Sequence, residues 1–394
     1  MAHVEDRWKR EGRRGTGRRW RVRYAGPDGR ERSRSFDRKI DAEQFRVRVE
    51  ADVQRGTYID PSAGRMTLRA YSATWQQAYS PDSSRGEHIG THLSRHILPV
   101  LGDVTLGQLA SRPSMIQQWY AGLRLSPQSA GQVFITLSAI LAAAVDDNLI
   151  PANPCRAKSV RLRTAPKRRI VPWTAAQVDA IREGMPERWR AMVDCAAGLG
   201  MRQGEVFGAR PEQVDFLRRT VHVNRQVLRV NGRLWFAAPK ENRDRAVPLA
   251  QPVSLALAAH MAAWPPVAVT LPWNEPGSPR HGQPVTAELL FATTAGGAVN
   301  GSSFWRTWGA ARDRAGIAKG GMHMLRHYFA SVLLAGGVDI RALSEYLGHH
   351  DPGFTLRVYS HLMPSAEGRA LKAVEAALAE DHGPGTAQEG GKPC

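Results

Sequence analysis

Six side chains in the second half of this 394-residue chain have types and settings that could do chemistry. The stretch 347–362, LGHHDPGFTLRVYSHL, sets Gly348, His349 and His350 at the end of one helix. A Pro352-Gly353 break and a short helix carrying Tyr359 follow. A phenol is a candidate nucleophile once its proton, with an ordinary pKa of about 10, is removed. Leu356, Tyr359 and Met363 also have the spacing of a plain packing stripe. Upstream, GLGMRQGEVFGAR places Arg202 just after two glycines, where the backbone holds it, with Glu205 three residues on as a partner. Lys240 opens the turn KENRDR; no other lysine occurs between Lys167 and Lys319. An ammonium can give up a proton where a guanidinium practically cannot. In HMLRH, His323 and Arg326 are three apart and share a helix face, a proton-transfer group beside a fixed cation. His323 and His327 have i, i+4 metal spacing, but Met324 stands where a zinc peptidase would have Glu.

The elements that must position these groups can be read around them. Thr174 and Gln177 form a capping-box pattern ahead of a helix. Helices are expected over 189–197, 251–263, 304–315 and 340–347, with Phe304, Trp308 and Ala311 buried. Leu325, Phe329 and Leu333 make an apolar stripe on the helix of His323. Residues 220–230, 233–238 and 246–249 alternate like strands around an Asn231-Gly232 hairpin turn, predicting a three-stranded meander. The proline-rich 265–283 reads as loop. Residues 367–380 form a last helix with Leu371, Val374 and Leu378 on one face, and 381–394 a glycine-rich tail expected to be disordered.

The first half is different. Residues 66–163 are helical by pattern, with helices over 71–79, 88–98, 115–123 and 129–147 forming a four-helix unit. Ile89, Leu93 and Ile97 face its core, and Pro99 and Gly102 end that helix. His88, His92 and His96 share one helix face with no carboxylate or cysteine beside them, which favours a polar surface over a metal site. Before it, Trp20, Val22 and Tyr24 alternate with Arg21 and Arg23, a Pro27-Asp28-Gly29 turn follows, and Arg30, Arg32 and Arg34 alternate on the return. This predicts a hairpin with one apolar face and one row of guanidiniums, backed by a helix over 41–53 and suited to a DNA groove. Residues 56–65 and 160–169 read as linkers.

Bulk properties agree with a polyanion partner. The net charge is +18, and 46 of the 54 basic residues are arginine. Three scattered cysteines point away from a disulfide framework or a cysteine zinc site and fit a reducing compartment. The first 15 residues lack the apolar segment of a secretory signal, and no apolar run of membrane-span length is evident.

Taken together, Arg202 in GLGMRQGE, Lys240 in PKENRDRAVPL, HMLRH, LGH at 347–349 and Tyr359 in TLRVYSH resemble the tyrosine recombinase family, phage-type integrases in particular. The resemblance extends to the middle segment through HILPVLG and the Asn153-Pro154 break, and covers nearly the whole chain. It implies a mainly α, multidomain protein. A small hairpin-plus-helix arm-type DNA-binding domain (1–62) precedes a helical core-DNA-binding domain (66–163), a mainly helical catalytic domain with the β meander (170–380) and the tail. It implies an integrase for a mobile element such as a prophage or integrative plasmid, working in the cytoplasm on the nucleoid. Its catalytic set is Arg202, Lys240, His323, Arg326, His349 and the nucleophile Tyr359, with Glu205 supporting Arg202. In that scheme Arg202 and Arg326 meet charge on the phosphate and Tyr359 forms a 3′-phosphotyrosine. His323 is the base, Lys240 the acid that protonates the 5′-oxygen, and His349 a phosphate ligand. No ATP, cofactor or metal is needed. The implied partners are duplex DNA at core and arm-type sites (Arg21, Arg23, Arg30, Arg32 and Arg34 contacting it), a tetramer of the chain itself, an excisionase and a DNA-bending host protein; no membrane is involved. The competing expectations are a non-catalytic DNA-binding regulator on this fold and a metal-dependent hydrolase using the paired histidines.

Overall fold

The computed structural model describes residues 2–363 except 10–13, 16, 27–28, 55–57, 59–62, 79–82 and 165–168, and beyond them residues 371, 374, 375, 377 and 378. The turn at Pro27-Asp28, much of both expected linkers and the tail therefore lie outside the described residues. The chain forms two compact units, Met1–Lys167 and Arg168–Cys394.

The first unit opens with an antiparallel sheet of β1 (His3–Asp6), β2 (Trp20–Ala25) and β3 (Glu31–Phe36), ordered β1-β2-β3. The strand β1 was not anticipated. A helix, α1 (Lys39–Gln54), buries Ala42 and Val49 against the sheet, and Phe45 makes an edge contact with Tyr24 at 5.7 Å. The register corrects the expected arginine row. Val22 pairs with Arg34 and Tyr24 with Arg32, whereas Arg21 and Arg23 pair with Ser35 and Ser33. Directly paired residues share a face, so Arg32 and Arg34 lie with the apolar side chains and Arg21 and Arg23 on the other side. The guanidinium of Arg34 accordingly stacks over Phe45 at 5.0 Å, and Arg23 is paired with Glu5 and Glu31. Period-two alternation within each strand could not reveal this, because register decides which alternating sets coincide.

The rest of this unit is helical: α2 (Leu68–Ala78), α3 (Ser83–His92), a π-helical turn (Leu93–Ile97), α4 (Leu98–Leu101), α5 (Leu106–Ser111), α6 (Pro113–Gly122) and α7 (Pro127–Asp146). Ile89, Leu93 and Ile97 are buried as expected. Pro99 does not stop the helix, since it falls in the first turn of α4, where a missing N–H costs little. His92 Nδ1 is 2.8 Å from Thr136 Oγ1 on α7, so this histidine ties two helices together. The helix α7 is long and apolar enough to cross a membrane by length and composition, but Val133, Leu137, Ile140, Leu141 and Ala144 are buried in the unit's own core.

In the second unit, α8 (Ala175–Gly184) starts on the Thr174–Gln177 capping box. It is followed by α9 (Glu187–Leu199) and the short α10 (Gln203–Phe207). The β section is not a meander. The strands β4 (Val214–Asp215), β5 (Thr220–Val223) and β8 (Arg245–Pro248) form one sheet, ordered β4-β5-β8; β6 (Gln226–Val230) and β7 (Arg233–Ala237) form a separate hairpin. Asn231 and Gly232 both have positive φ, 49° and 79°, as a two-residue hairpin turn requires. The chain breaks its strand at 224–225, so β8 returns to β5 rather than β7. After α11 (Gln251–Ala263), the expected proline-rich loop 265–283 contains a strand, β9 (Val267–Pro272), which pairs with β10 (Pro284–Leu289) just beyond the loop. Helices α12 (Gly301–Arg314), α13 (His323–Ala335), α14 (Ile340–Leu347) and α15 (Pro352–Tyr359) follow. Phe304, Trp308 and Ala311 are fully buried, as their spacing predicts.

Candidate active site

The ends of four elements converge on one cavity. The helix α9 ends at Gly200 in the left-handed conformation, φ 62°, which turns the chain so that Arg202 caps α10. A side chain at Gly200 would also meet the Phe329 ring at 2.5 Å, so only glycine fits. The helix α14 ends the same way at Gly348, φ 62°, and delivers His349. His323 begins α13, with Arg326 one turn on. Lys240 follows β7 and is exposed. Arg202, Lys240, His323, Arg326 and His349 all line a cavity of about 490 Å³, with His350, Asp351, Phe354 and Arg357 completing the wall.

Arg326 is fully buried, with two carbonyls on its guanidinium: Nη1 donates to Gly200 O at 2.7 Å, and Nη2 donates to Leu347 O. Nη2 also lies 3.1 Å from His349 Nε2. Burial, then the charge of Arg202, lowers its pKa to about 9, which still leaves a cation at neutral pH. Because a guanidinium can only donate, His349 Nε2 accepts and Nδ1 carries the proton, which it gives to Thr355 Oγ1 at 2.7 Å. Burial and then Arg326 push the His349 pKa down to about 3, so the ring is neutral. Arg202 is held through Glu205, which has no exposed surface. Burial alone would raise the Glu205 pKa; the hydrogen bonds and charge of Arg245, then the charge of Arg202, outweigh it and bring it to about 2.

Tyr359 is not part of the cavity wall. It is 1% exposed, and its Oη shares a 2.7 Å hydrogen bond with Nδ1 of His327, not His323. Burial raises the phenol pKa to about 12, and burial followed by the charge of His323 lowers that of His327 to about 4. Leu356 and Met363 are 45% and 44% exposed, which removes the packing-stripe reading of this segment. Among the described residues, no cluster of three or more His, Cys, Asp or Glu side chains is placed to hold a metal ion.

A cavity walled by cations, with a tyrosine sequestered beside it, fits transfer of a phosphoryl group to the phenol. Residues 173–365 match the family model described as the phage integrase family. The putative prophage phiRv2 integrase of Mycobacterium tuberculosis is 28% identical over 377 residues, spanning 92% of this chain and 94% of that protein. The chain carries a domain of the phage integrase family over most of its second unit. It is a tyrosine-type site-specific recombinase. Two solved structures share its fold: the Tn1549 transposon integrase in complex with transposon right end DNA, and a lambda integrase tetramer bound to a Holliday junction. The first has TM-score 0.63 and 20% identity, covering 80% of this chain and 100% of that one. The second has TM-score 0.58 and 17% identity, covering 87% and 92%.

Within this recombinase the sequence left three contributors unread: Arg245, His327 and Thr355. The RxVPL segment offered a weak signal for Arg245, since Val247 and Leu249 alternate inward and place Arg245 inward with them. His327 was weighed only as a metal ligand. Nothing in the local pattern pairs it with Tyr359, 32 residues away.

Proposed function

We propose that this recombinase integrates and excises a mobile element through a covalent 3′-phosphotyrosine on Tyr359. The observation that carries the proposal is the convergence of Arg202, Lys240, His323, Arg326 and His349, from four separate segments, on one cavity next to Tyr359. A scissile phosphate in that cavity meets Arg202 and Arg326, whose positions are fixed in advance by Glu205 and by the carbonyls of Gly200 and Leu347. Preorganised donors of this kind stabilise the added charge of the transition state without reorganising. Tyr359 must first leave His327. The α15 helix starts at the Pro352-Gly353 break, and its movement on synapsis supplies that step. The phenol oxygen then bonds to phosphorus as the bond to the 5′-oxygen breaks. His323 takes the phenol proton and Lys240 gives one to the departing oxygen. Attack by a new 5′-hydroxyl reverses the sequence, so the bond energy is conserved and no nucleotide cofactor is consumed. His349 accepts from Arg326 in the resting state; when DNA is bound the other tautomer, with Thr355 donating to Nδ1, lets Nε2–H donate to the phosphate.

The partners follow from the same reading: duplex DNA at core and arm-type sites, and a tetramer on synapsed DNA. Exposure of Leu371, Val374 and Leu378 in the terminal helical residues supports docking on a neighbouring subunit, and the lambda integrase tetramer is a precedent. An excisionase and a DNA-bending protein complete the expected assembly. The test is a nicked suicide substrate. Wild type should form a covalent protein–DNA adduct and Tyr359→Phe none. Absence of adduct with wild type overturns the mechanism in favour of a non-catalytic DNA-binding regulator, and equal adduct from both overturns Tyr359 as the nucleophile.

A further inference from the structure

One buried guanidinium outside the six makes three hydrogen bonds to groups around the cavity. Arg245 opens β8, pairs across to Val223, and its side chain is 4% exposed. Its Nη1 and Nη2 donate to the two oxygens of Glu205 at 2.9 and 2.6 Å, and Nε donates to Tyr346 O at 2.7 Å. The same carboxylate accepts the Arg202 backbone N–H at 2.8 Å and Arg202 Nη1 at 2.9 Å. One buried anion is therefore shared by two guanidiniums. Arg202 Nη2 reaches on to Gly348 O at 3.3 Å, and Gly348 itself packs on Arg245, where a Cβ would stand 3.2 Å from Cδ.

We propose that Arg245 is a positioning residue of the recombination reaction: acting through Glu205, it sets the orientation and the effective charge of Arg202. The inference rests on the reading that Arg202 contacts the scissile phosphate. With Arg245 in place, Glu205 has its charge balanced from behind, and Arg202 presents most of its positive charge to the cavity. Without Arg245, Glu205 and Arg202 become a closed neutral pair, and the transition state loses part of a preorganised cation. Arg245 also joins three elements that carry reacting groups. It fixes the strand after the Lys240 turn, the cap that holds Arg202, and the end of α14 that delivers His349. A bidentate fork plus a third donor is a task for arginine, and lysine can do only part of it.

Two variants of the full chain test this, Arg245→Met and Arg245→Lys, each measured for duplex half-site affinity and for single-turnover adduct formation at saturating DNA. For Arg245→Met the adduct rate should fall at least tenfold while the Kd stays within about twofold, because Arg245 acts on the transition state through Arg202 rather than on DNA binding. Arg245→Lys, which keeps the cation but not the fork, should recover part of that loss. A folded Arg245→Met with a wild-type rate overturns the proposal, as does a rate that falls only in step with affinity. If Arg245→Met does not fold, Arg245→Lys decides: a rate several-fold below wild type at unchanged Kd supports it, and an unchanged rate overturns it. Wild type and Tyr359→Phe run alongside separate this outcome from failure of the phosphotyrosine reading, since that failure would remove the wild-type adduct itself.

Discussion

Arginine is concentrated in two regions of this molecule and used in opposite ways. Around the cavity, Arg326 and Arg245 are almost completely buried; Nη1 and Nη2 of Arg326 donate to carbonyls, and the three guanidinium nitrogens of Arg245 donate to Glu205 and the Tyr346 carbonyl. In the N-terminal sheet, Arg21, Arg23, Arg32 and Arg34 are divided between two faces and lie at or near the surface. Burying an unpaired charge is costly, so each cavity arginine has been given partners that fix its position. A surface arginine keeps its mobility and its solvent and contributes charge rather than geometry. The same residue type is thus held in a fixed position in one unit and left at the surface in the other.

That contrast can be broken most sharply at Arg326. Arg326→Met should lower adduct formation by about 10²–10³-fold, the usual cost of losing one preorganised donor. It should also destabilise the second unit, because Gly200 O and Leu347 O lose their donor. Suicide-substrate kinetics with thermal unfolding checks both. A loss below tenfold would place Arg326 with the surface arginines.

The next effect concerns Tyr359 and its hydrogen bond to His327. His327→Phe leaves the buried Tyr359 hydroxyl without its partner, which should cost about 1–3 kcal/mol of stability. In a double-mutant cycle with Tyr359→Phe, the two losses should fall short of additive. Additive losses in denaturant titrations would show that the hydrogen bond does not stabilise the resting state.

A smaller, graded effect is the response to pH. His327 and His349 have folded pKa values of about 4 and about 3, below the ordinary value of about 6.5. Folding therefore excludes protons that the unfolded chain would bind, and stability is full above about pH 6.5 and lost as pH falls through those lower values. His349→Gln should flatten part of this decline in melting temperature between pH 7 and 4. An identical pH profile would contradict a neutral, buried His349.

The smallest effects belong to the N-terminal sheet. Arg34→Ala should weaken duplex binding modestly and reduce the salt dependence by about one unit of slope if that arginine meets a phosphate. The rate of adduct formation on core DNA should not change. An adduct loss as large as that of Arg326→Met would erase the distinction between the regions.

How much of this was legible in the sequence follows from the range of each interaction. The helices were, because an apolar period of 3.6 is local: Phe304, Trp308 and Ala311 are buried as their spacing requires, and the residues 251–263 and 340–347 are helical end to end. So were the Asn231-Gly232 turn and the Thr174–Gln177 cap, whose chemistry lies within four residues. The six candidate groups each sit in a short local setting in the sequence, and the structure brings five of them to the wall of one cavity. What the tertiary structure alone decided is which distant groups meet. Strand register put Arg32 and Arg34 on the apolar side of their sheet, and the partner chosen by β8 replaced the expected meander with two sheets. Long-range packing gave Tyr359 to His327 rather than His323, and gave Glu205 a second arginine from 40 residues away. Hydrogen bonds between segments leave no period and no spacing in the chain, and here one of them holds the buried Tyr359 hydroxyl on His327.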